Sequence, residues 1–342
     1  MTRGLRSGVS RRTFAKAVAA APIAALIPKR ASAAEFDYKL ATGQDPTHPN
    51  NVRMQEAINR IREKSSGKLD IKLFPANQLG SDTDLLGQIR NGGIDFLVLS
   101  TSILAVFVPV AGILNTAYGF TEYDAVWKAL DGNLGNYVRE QIEKSRLICG
   151  FRSWDNGFRQ ITSGSHDIRA PEDLKGFKIR VPQAPMLTSF FSAMGAAPAP
   201  LNFNEVYTSL QTKVIEGQEN PLAIIATARL YEVQKYCAMT SHSWDGYWPL
   251  ANRRSWEALP ADLRQLVVTE FDKSSADQRA DVAALSTSLR ATLTKNGMEL
   301  HEVDREAFRA ALSKTSYYRD WKAKYGDEAW NKLEEASGKL AI

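Results

Sequence analysis

The 342-residue chain has little cysteine and no long uninterrupted apolar run beyond its amino terminus, and both shortages narrow the possible classes of protein. Two cysteines are too few for a disulfide scaffold or a cysteine-rich metal cluster. Cys149 and Cys237 lie in apolar, strand-like surroundings that favour buried, unpaired thiols, although an oxidising compartment would allow a bridge. The longest apolar segment, residues 96–114, is interrupted by polar residues, proline and glycine, so we expect no transmembrane helix there.

Compact catalytic motifs are also missing. The four histidines include no pair at the i,i+4 spacing of a zinc helix, and there is no Cys-x-x-Cys. No Walker loop, Gly-x-Gly-x-x-Gly or Gly-x-Ser-x-Gly occurs. We therefore expect no cofactor, no metal and no catalysis. The alternative is an exported enzyme that acts on a carboxylate substrate, with Asp82, Glu219 or His242 as acid or base.

Positive charge is concentrated at the amino terminus. The first 34 residues contain seven basic side chains and no acidic one, whereas the rest contains 36 basic and 38 acidic residues. A slightly acidic body disfavours binding to nucleic acid, which depends on basic side chains facing the phosphates.

The amino terminus has the organisation of an export signal. Residues 10–16, Ser-Arg-Arg-Thr-Phe-Ala-Lys, resemble the twin-arginine consensus, and an apolar stretch from Ala17 to Ile27 and the small residues Ala31-Ser32-Ala33 follow. The alternatives are a disordered basic tail or, if cleavage fails, a short anchor. We predict a signal peptide over 1–33, cleaved near Ala33, and a periplasmic location.

Strand and helix patterns alternate along the mature chain, which predicts an α/β fold with parallel strands. The first predicted strands and helices cover residues 36–42, 51–66, 69–74, 82–90 and 94–99. Helical periodicity covers 123–144, a strand follows at 146–154, and the alternation restarts with a strand at 177–181 and a helix at 185–194.

A later segment, residues 261–295, has helical periodicity without glycine or proline and is long enough to brace two lobes. We predict two lobes with a ligand cleft between them. Lobe I comprises 34–157 plus about 246–285, and lobe II comprises 158–245 plus about 286–342.

Two arginines are candidates for an anion site. Arg180 lies at the carboxyl end of a predicted strand, before Pro182, and Arg159 lies just past the end of another. Ligands gather at this end of the strands in open α/β sheets, and a guanidinium can donate two parallel hydrogen bonds to a carboxylate. A lone arginine is more often part of a surface ion pair, and periodicity does not decide between the two.

Several spaced motifs, in the same order, resemble the DctP-type extracytoplasmic solute-binding subunits of TRAP transporters. The resemblance covers about 36–334, and its motifs here are 73–80 (Leu-Phe-Pro-Ala-Asn-Gln-Leu-Gly), 156–160 (Asn-Gly-Phe-Arg-Gln), 178–182 (Lys-Ile-Arg-Val-Pro), 205–221 and 231–236. It implies a two-lobed receptor that closes around a small organic acid and delivers it to a sodium-driven permease. A receptor that feeds a sensor kinase is a further alternative.

The resemblance also implies roles for individual residues. Arg180 matches the arginine that pairs with the ligand carboxylate, and Arg159 matches a second cationic contact. Asn220 matches an amide that binds the same carboxylate. Phe203 matches an aromatic ring that packs on the ligand, and Asp82 matches a polar contact to ligand hydroxyls.

Departures from the family pattern affect the expected ligand. The sialic-acid branch carries an asparagine at the position of Gly43 and charged residues at those of Ser100 and Ile103, which argues against sialic acid. We expect a monocarboxylate, such as an aromatic acid or a uronate, because tryptophans near the predicted cleft could stack on a ring. The alternative for Trp244 and Trp248 is that they only pack the lobe interface. The further candidate ligand-binding residues are Trp154, Gln183, His242 and Trp244.

Overall fold

A computed structural model describes residues 34–340, except the side chains of 286 and 287, so the predicted signal peptide lies outside the described residues. The strands are β1 (Phe36–Thr42), β2 (Leu69–Phe74), β3 (Phe96–Ser100), β4 (Leu147–Ile148), β5 (Trp154–Ser163), β6 (Lys178–Val181), β7 (Ala197–Pro200), β8 (Gly217–Pro221), β9 (Tyr236–Met239), β10 (Trp244–Asn252) and β11 (Glu299–Glu302).

The helices are α1 (Pro49–Lys64), α2 (Asp82–Asn91), α3 (Thr101–Leu104), α4 (Tyr123–Leu130), α5 (Asn133–Lys144), α6 (Pro185–Ala193), α7 (Val206–Gln211), α8 (Leu222–Thr227), α9 (Arg253–Ala258), α10 (Ala261–Lys295), α11 (Arg305–Ser313) and α12 (Tyr317–Ser337). Short 3-10 helices cover Pro109–Asn115, Pro171–Leu174, Phe203–Glu205 and Leu230–Glu232. Among the described residues, no helix is both long enough and apolar enough to cross a bilayer.

Two long central strands join the halves of the sheet. The strand order is β2-β1-β3-β10-β5-β8-β6-β7, with β9 also paired to β5. On one side, β1 runs parallel to β2 and β3. On the other side, β6 runs parallel to β7 and β8. The antiparallel pair of β5 and β10 connects these halves, and its register shifts between Asp245 and Gly246. Polar side chains near the middle of this pair, where β5 and β10 are joined, therefore lie between the two halves.

The apolar faces that the sequence patterns predict are buried in the core. In α1, the buried residues Met54, Ala57, Ile58 and Ile61 fall at helical spacing and pack with β1 and β2 in one apolar cluster. Burial of the methionine and isoleucine side chains stabilises the fold by about 1.5–3 kcal/mol each. The α/β class predicted from the alternation is thus confirmed.

The long helix α10 contacts elements of both halves, namely α1 on one side and α8, β5 and β11 on the other. Its ion pairs with α1 join Arg53 to Asp281 (2.6 Å) and Arg60 to Glu270 (2.5 Å). The predicted helix over 261–295 is confirmed at both ends.

Two sequence-based element predictions were wrong. The expected strand at 146–154 is only the two-residue β4, and the long strand β5 begins where it was expected to end. The expected helix over 123–144 is two helices, because the chain turns so tightly at Gly132 that a Cβ there would lie 2.4 Å from the Lys128 carbonyl oxygen.

Two further predictions concern the lobe limits and the cysteines. The lobe limits stay a prediction, although α12, which they assign to lobe II, packs on α4, α5 and the 3-10 helix Pro109–Asn115. Cys149 and Cys237 are buried and unpaired, as expected.

Candidate functional site

Arg180 is the third residue of β6, and its side chain is only 1% exposed. Its Nε and Nη2 both donate hydrogen bonds to the Leu201 carbonyl oxygen, at 3.0 and 2.7 Å. Within residues 34–340, Nη1 has no hydrogen-bond partner and no carboxylate lies within ion-pair distance of the guanidinium. Burial lowers the pKa of Arg180 to about 10, so the group stays charged at neutral pH. The Leu201 carbonyl therefore fixes the orientation of a cation that has donor capacity to spare.

Arg159 lies in the middle of β5, not past the end of a strand as its sequence context indicated. It forms ion pairs with Glu219 and, at 3.1 Å through Nη1, with Asp245. Its Nη2 also donates to the Asn220 side-chain oxygen at 3.0 Å. Burial acts to lower the pKa of Arg159, but the two carboxylates outweigh it and raise the pKa. Unlike Arg180, this arginine is neutralised inside the protein.

Asn220 is in β8, beside Arg159 across the antiparallel β5–β8 pair. Besides accepting from Arg159, it donates through Nδ2 to the Gln218 side-chain oxygen at 2.5 Å. Its amide is thus oriented by protein partners on both sides, which leaves one Nδ2 hydrogen for another acceptor.

Asp82 begins helix α2 and is 4% exposed. Burial raises the pKa of its carboxyl group, although the charge of Arg180 opposes this effect. The backbone of Gly43 approaches so closely that a Cβ there would lie 2.4 Å from Asp82 Oδ1. Phe203, at the start of a 3-10 helix, has its ring centroid 5.8 Å from the Arg180 guanidinium carbon.

All five residues line one cavity, although they do not all contact one another. The remaining lining residues are Gln44, Ser100, Ser102, Ile103, Asn156, Pro182, Ile224 and Tyr247. The structure thus brings Arg180, Arg159, Asn220, Phe203 and Asp82 together at one cavity. Ser100 and Ile103, singled out as departures from the sialic-acid branch, also lie in its wall.

Comparison with known proteins assigns the family. Residues 41–322 match the bacterial extracellular solute-binding proteins, family 7, known as DctP. The chain belongs to this family. The C4-dicarboxylate-binding protein DctB of Bacillus subtilis (strain 168) is 32% identical over 236 residues, 67% of each chain. The 2,3-diketo-L-gulonate-binding periplasmic protein YiaO of Escherichia coli (strain K12) is 29% identical over 303 residues, 88% of this chain and 91% of its own.

A solved structure supports the same assignment. The sugar acid binding protein DctPAm of Advenella mimigardefordensis, in complex with galactonate, has a TM-score of 0.85 to this chain at 27% identity. The match covers 90% of this chain and 99% of that one. The DctP family and the two-lobed fold predicted from the motifs are therefore confirmed. Proteins of this family are solute-binding receptors rather than enzymes.

In this DctP-family chain the tryptophans do not line the cavity. Trp154 is fully buried in the apolar cluster that contains Phe151 and Phe271. Trp244 donates its Nε1 hydrogen to Asp155 at 3.0 Å and packs edge-on against Trp127. Trp248 is also fully buried in the core. For Trp244 and Trp248, the structure thus favours the alternative in which the rings only pack the interior. Trp154 is buried in the same way.

Two other candidates also lie outside the cavity wall. Gln183 donates to the Pro200 carbonyl oxygen at 3.3 Å. His242 is fully buried, lies 3.1 Å from Glu219 and stacks on Phe190 with ring centroids 5.2 Å apart. Burial lowers the pKa of His242, so the ring is neutral at neutral pH. His242 contacts Glu219, and Glu219 forms an ion pair with Arg159.

Five polar or aromatic residues of the wall were not predicted as ligand contacts: Gln44, Ser100, Ser102, Asn156 and Tyr247. A signal for Ser100 and Ser102 was present, because polar residues directly follow the buried apolar strand β3. Tyr247 had no such signal, because every residue of its strand β10 is buried and the sequence does not distinguish a buried tyrosine at the cavity from one in the core. Among the residues that the structure describes, the site therefore combines one guanidinium without a carboxylate partner with hydroxyl and amide groups, a set suited to a hydroxylated carboxylate.

Proposed function

We propose that the chain is a periplasmic receptor that binds the carboxylate of a small organic acid at Arg180 and delivers the acid to a TRAP-type permease. The supporting observation is the buried guanidinium of Arg180, which lines the cavity without a carboxylate partner in the described residues. The export signal over 1–33, with cleavage near Ala33, would place the receptor in the periplasm.

The energetics of such a site depend on replacing lost hydration. A carboxylate that leaves water needs charge-assisted hydrogen bonds in return, each contributing about 1.5–3 kcal/mol. Arg180 can donate such bonds without giving up an internal ion pair, whereas Arg159 would have to share its charge with Glu219 and Asp245. Arg180 is therefore the primary carboxylate contact in this proposal.

The finer proposal is a monocarboxylate that carries hydroxyl groups, such as a sugar acid or a uronate. Asp82 can accept hydrogen bonds from ligand hydroxyls, and Ser100 and Ser102 place two hydroxyl groups in the same wall. The names of the relatives YiaO and DctPAm refer to sugar acids, while that of DctB refers to a dicarboxylate. The stacking argument for an aromatic acid no longer holds, because Trp154 and Trp244, which were expected to stack on its ring, lie in the core.

The first experiment is native mass spectrometry of the purified protein to identify any retained acid, followed by calorimetry with that acid or with galactonate. Arg180→Lys keeps the charge but loses the planar fork, so it should weaken binding about tenfold to a hundredfold. Arg169→Lys is the matched control, since Arg169 is an exposed arginine paired with Asp167. An unchanged dissociation constant in Arg180→Lys would refute the assigned role, and formation of a product from the acid would favour the enzyme alternative.

A further inference from the structure

Asp245, the second residue of β10, is a buried carboxylate directly behind the cavity wall. Its Oδ2 accepts hydrogen bonds from Ser100 Oγ at 2.6 Å and Ser102 Oγ at 3.1 Å. It also accepts from Asn156 Nδ2 at 3.3 Å and from Arg159 Nη1 at 3.1 Å. All four of these donors belong to residues that line the cavity. Asp245 thus contacts four residues of the wall without lining the cavity itself.

Asp245 also affects how much positive charge Arg159 contributes to the cavity. Arg159 lies between Asp245 and Glu219, so its single positive charge is matched by two internal carboxylates. Asp245 itself has no second cationic partner within ion-pair distance among the described residues. His242, which contacts Glu219, does not add positive charge, because burial lowers its pKa.

Arg180 is then the one cation of the wall that is free to meet a ligand anion, as judged over residues 34–340. Asp82 faces it from α2 and supplies a further acidic group on the same cavity. A ligand with one carboxylate can be matched by Arg180, but a second carboxylate would lie in a buried site with no unpaired cation. A buried unpaired charge is strongly unfavourable.

We propose that Asp245 is a specificity-determining residue, which restricts the site to acids with one carboxylate by holding Arg159 in an internal ion pair. This inference rests on the proposed function, in which Arg180 binds the ligand carboxylate. Without the charge of Asp245, Arg159 would be matched by Glu219 alone, and its Nη1 would be free to donate to a second carboxylate. The variant should therefore accept dicarboxylates that the natural protein rejects.

The test compares matched pairs of acids that differ in one carboxylate: galactonate with galactarate, erythronate with meso-tartrate, and 2-hydroxybutanoate with malate. Dissociation constants are measured by calorimetry at one pH. The natural protein should bind the monocarboxylate of at least one pair at least tenfold more tightly than its dicarboxylate. In Asp245→Asn, this preference should fall at least tenfold.

The matched control is Asp155→Asn. Asp155 is an equally buried aspartate on the neighbouring strand β5, it does not line the cavity, and no ion pair joins it to Arg159. Its variant should keep the preference of the natural protein. If Asp245→Asn fails to fold, Glu219→Gln removes the other carboxylate against Arg159 and should lower the same preference.

The possible outcomes separate the two proposals. Tight binding of a monocarboxylate that is lost in Arg180→Lys supports the proposed function. Given that result, equal affinity of the natural protein for both members of a pair would overturn the role of Asp245. An equal loss for both members in Asp245→Asn would also overturn it, because that indicates a purely structural role. Failure of all six acids to bind would count against both proposals.

Discussion

At the scale of single residues, the absence of a side chain at Gly43 is as important to the site as the charges. An added Cβ would lie 2.4 Å from Asp82 Oδ1, far inside van der Waals contact. Asp82 is buried and begins a helix, so it cannot swing into solvent to avoid the contact. Gly43 therefore allows the acidic group to occupy its place in the cavity wall.

We predict that Gly43→Ala lowers ligand affinity about tenfold, because Asp82 must shift by a fraction of an ångström or more. Calorimetry with the bound acid measures the effect, and thermal unfolding shows whether the fold is retained. Gly87→Ala is the control, since a Cβ there meets no atom within 4 Å. Equal affinities for the two variants would show that the position of Asp82 does not matter for binding.

Asp155 predicts a dependence of stability on pH. Burial raises the pKa of this carboxyl group to about 7, against the opposing hydrogen bond from Trp244. Because the pKa is higher in the folded protein, deprotonation disfavours the fold. The contribution of Asp155 to the free energy of unfolding should fall by up to about 4 kcal/mol as the pH rises from about 4 to about 7.

Urea unfolding at several pH values tests this prediction with Asp155→Asn as the reference. The difference in unfolding free energy, variant minus natural protein, should grow between pH 4 and pH 7 and then level off. A constant difference over this range would mean that Asp155 titrates as it does in the unfolded chain.

The residue roles show what sequence reasoning can recover. Arg180 and Asn220 lie in motifs that resemble the family, and the same resemblance assigns roles to Phe203 and Asp82, which lie just outside those motifs. The structure places all four residues at one cavity. Trp154 and Trp244 could not be assigned in this way. An aromatic residue in a central strand gives the same sequence pattern whether it faces a cleft or the core. Only the fold shows which face of the strand is covered.

At the scale of elements, strands with clear alternation and helices with apolar stripes were predicted within a few residues, as β1, β2 and α10 show. The strands β8 and β10 were not predicted. Both strands bury polar side chains, among them Glu219, Asn220 and Asp245. Because such residues are typical of loops, the sequence pattern did not indicate strands there. The site thus combines elements that the sequence pattern predicts, namely β6 with Arg180 and α2 with Asp82, with strands whose buried polar residues concealed them.

The long helix α10 is attached to the central strand β5 through one glutamine. Gln278 is fully buried, accepts from the Asp155 backbone N–H at 2.8 Å and donates to the Asp155 carbonyl at 2.6 Å. We predict that Gln278→Met lowers the free energy of unfolding by about 2–6 kcal/mol, because two buried backbone groups lose their partner. Urea unfolding measures this loss.

Gln265→Met is the control on the same helix, because Gln265 is exposed and its amide hydrogen-bonds to Thr269 one turn away. It should change the unfolding free energy by less than about 0.5 kcal/mol. Similar losses for both variants would mean that the glutamine makes no special contribution to joining α10 to the sheet.

At the scale of the whole molecule, the site is closed. Arg159, Arg180, Asn220 and Asp82 are each at most 4% exposed, so an acid cannot reach them from solvent in this conformation. In the function we propose, the two lobes separate for the ligand to enter and return for these contacts to form. Affinity therefore depends both on contacts with the acid and on contacts between the lobes that exist only when the cleft is shut.

One such contact joins Thr83 Oγ1 of α2 to Asn202 Oδ1, at 3.3 Å, between the proposed lobes I and II. Neither residue lines the cavity. We predict that Thr83→Val weakens ligand binding about twofold to tenfold, mainly through faster dissociation, because the closed form loses one neutral hydrogen bond. Stopped-flow and calorimetric measurements with the bound acid test this. Thr269→Val, on the exposed face of α10, is the control and should leave both constants unchanged. An unaltered dissociation rate in Thr83→Val would show that this contact does not help to hold the lobes together.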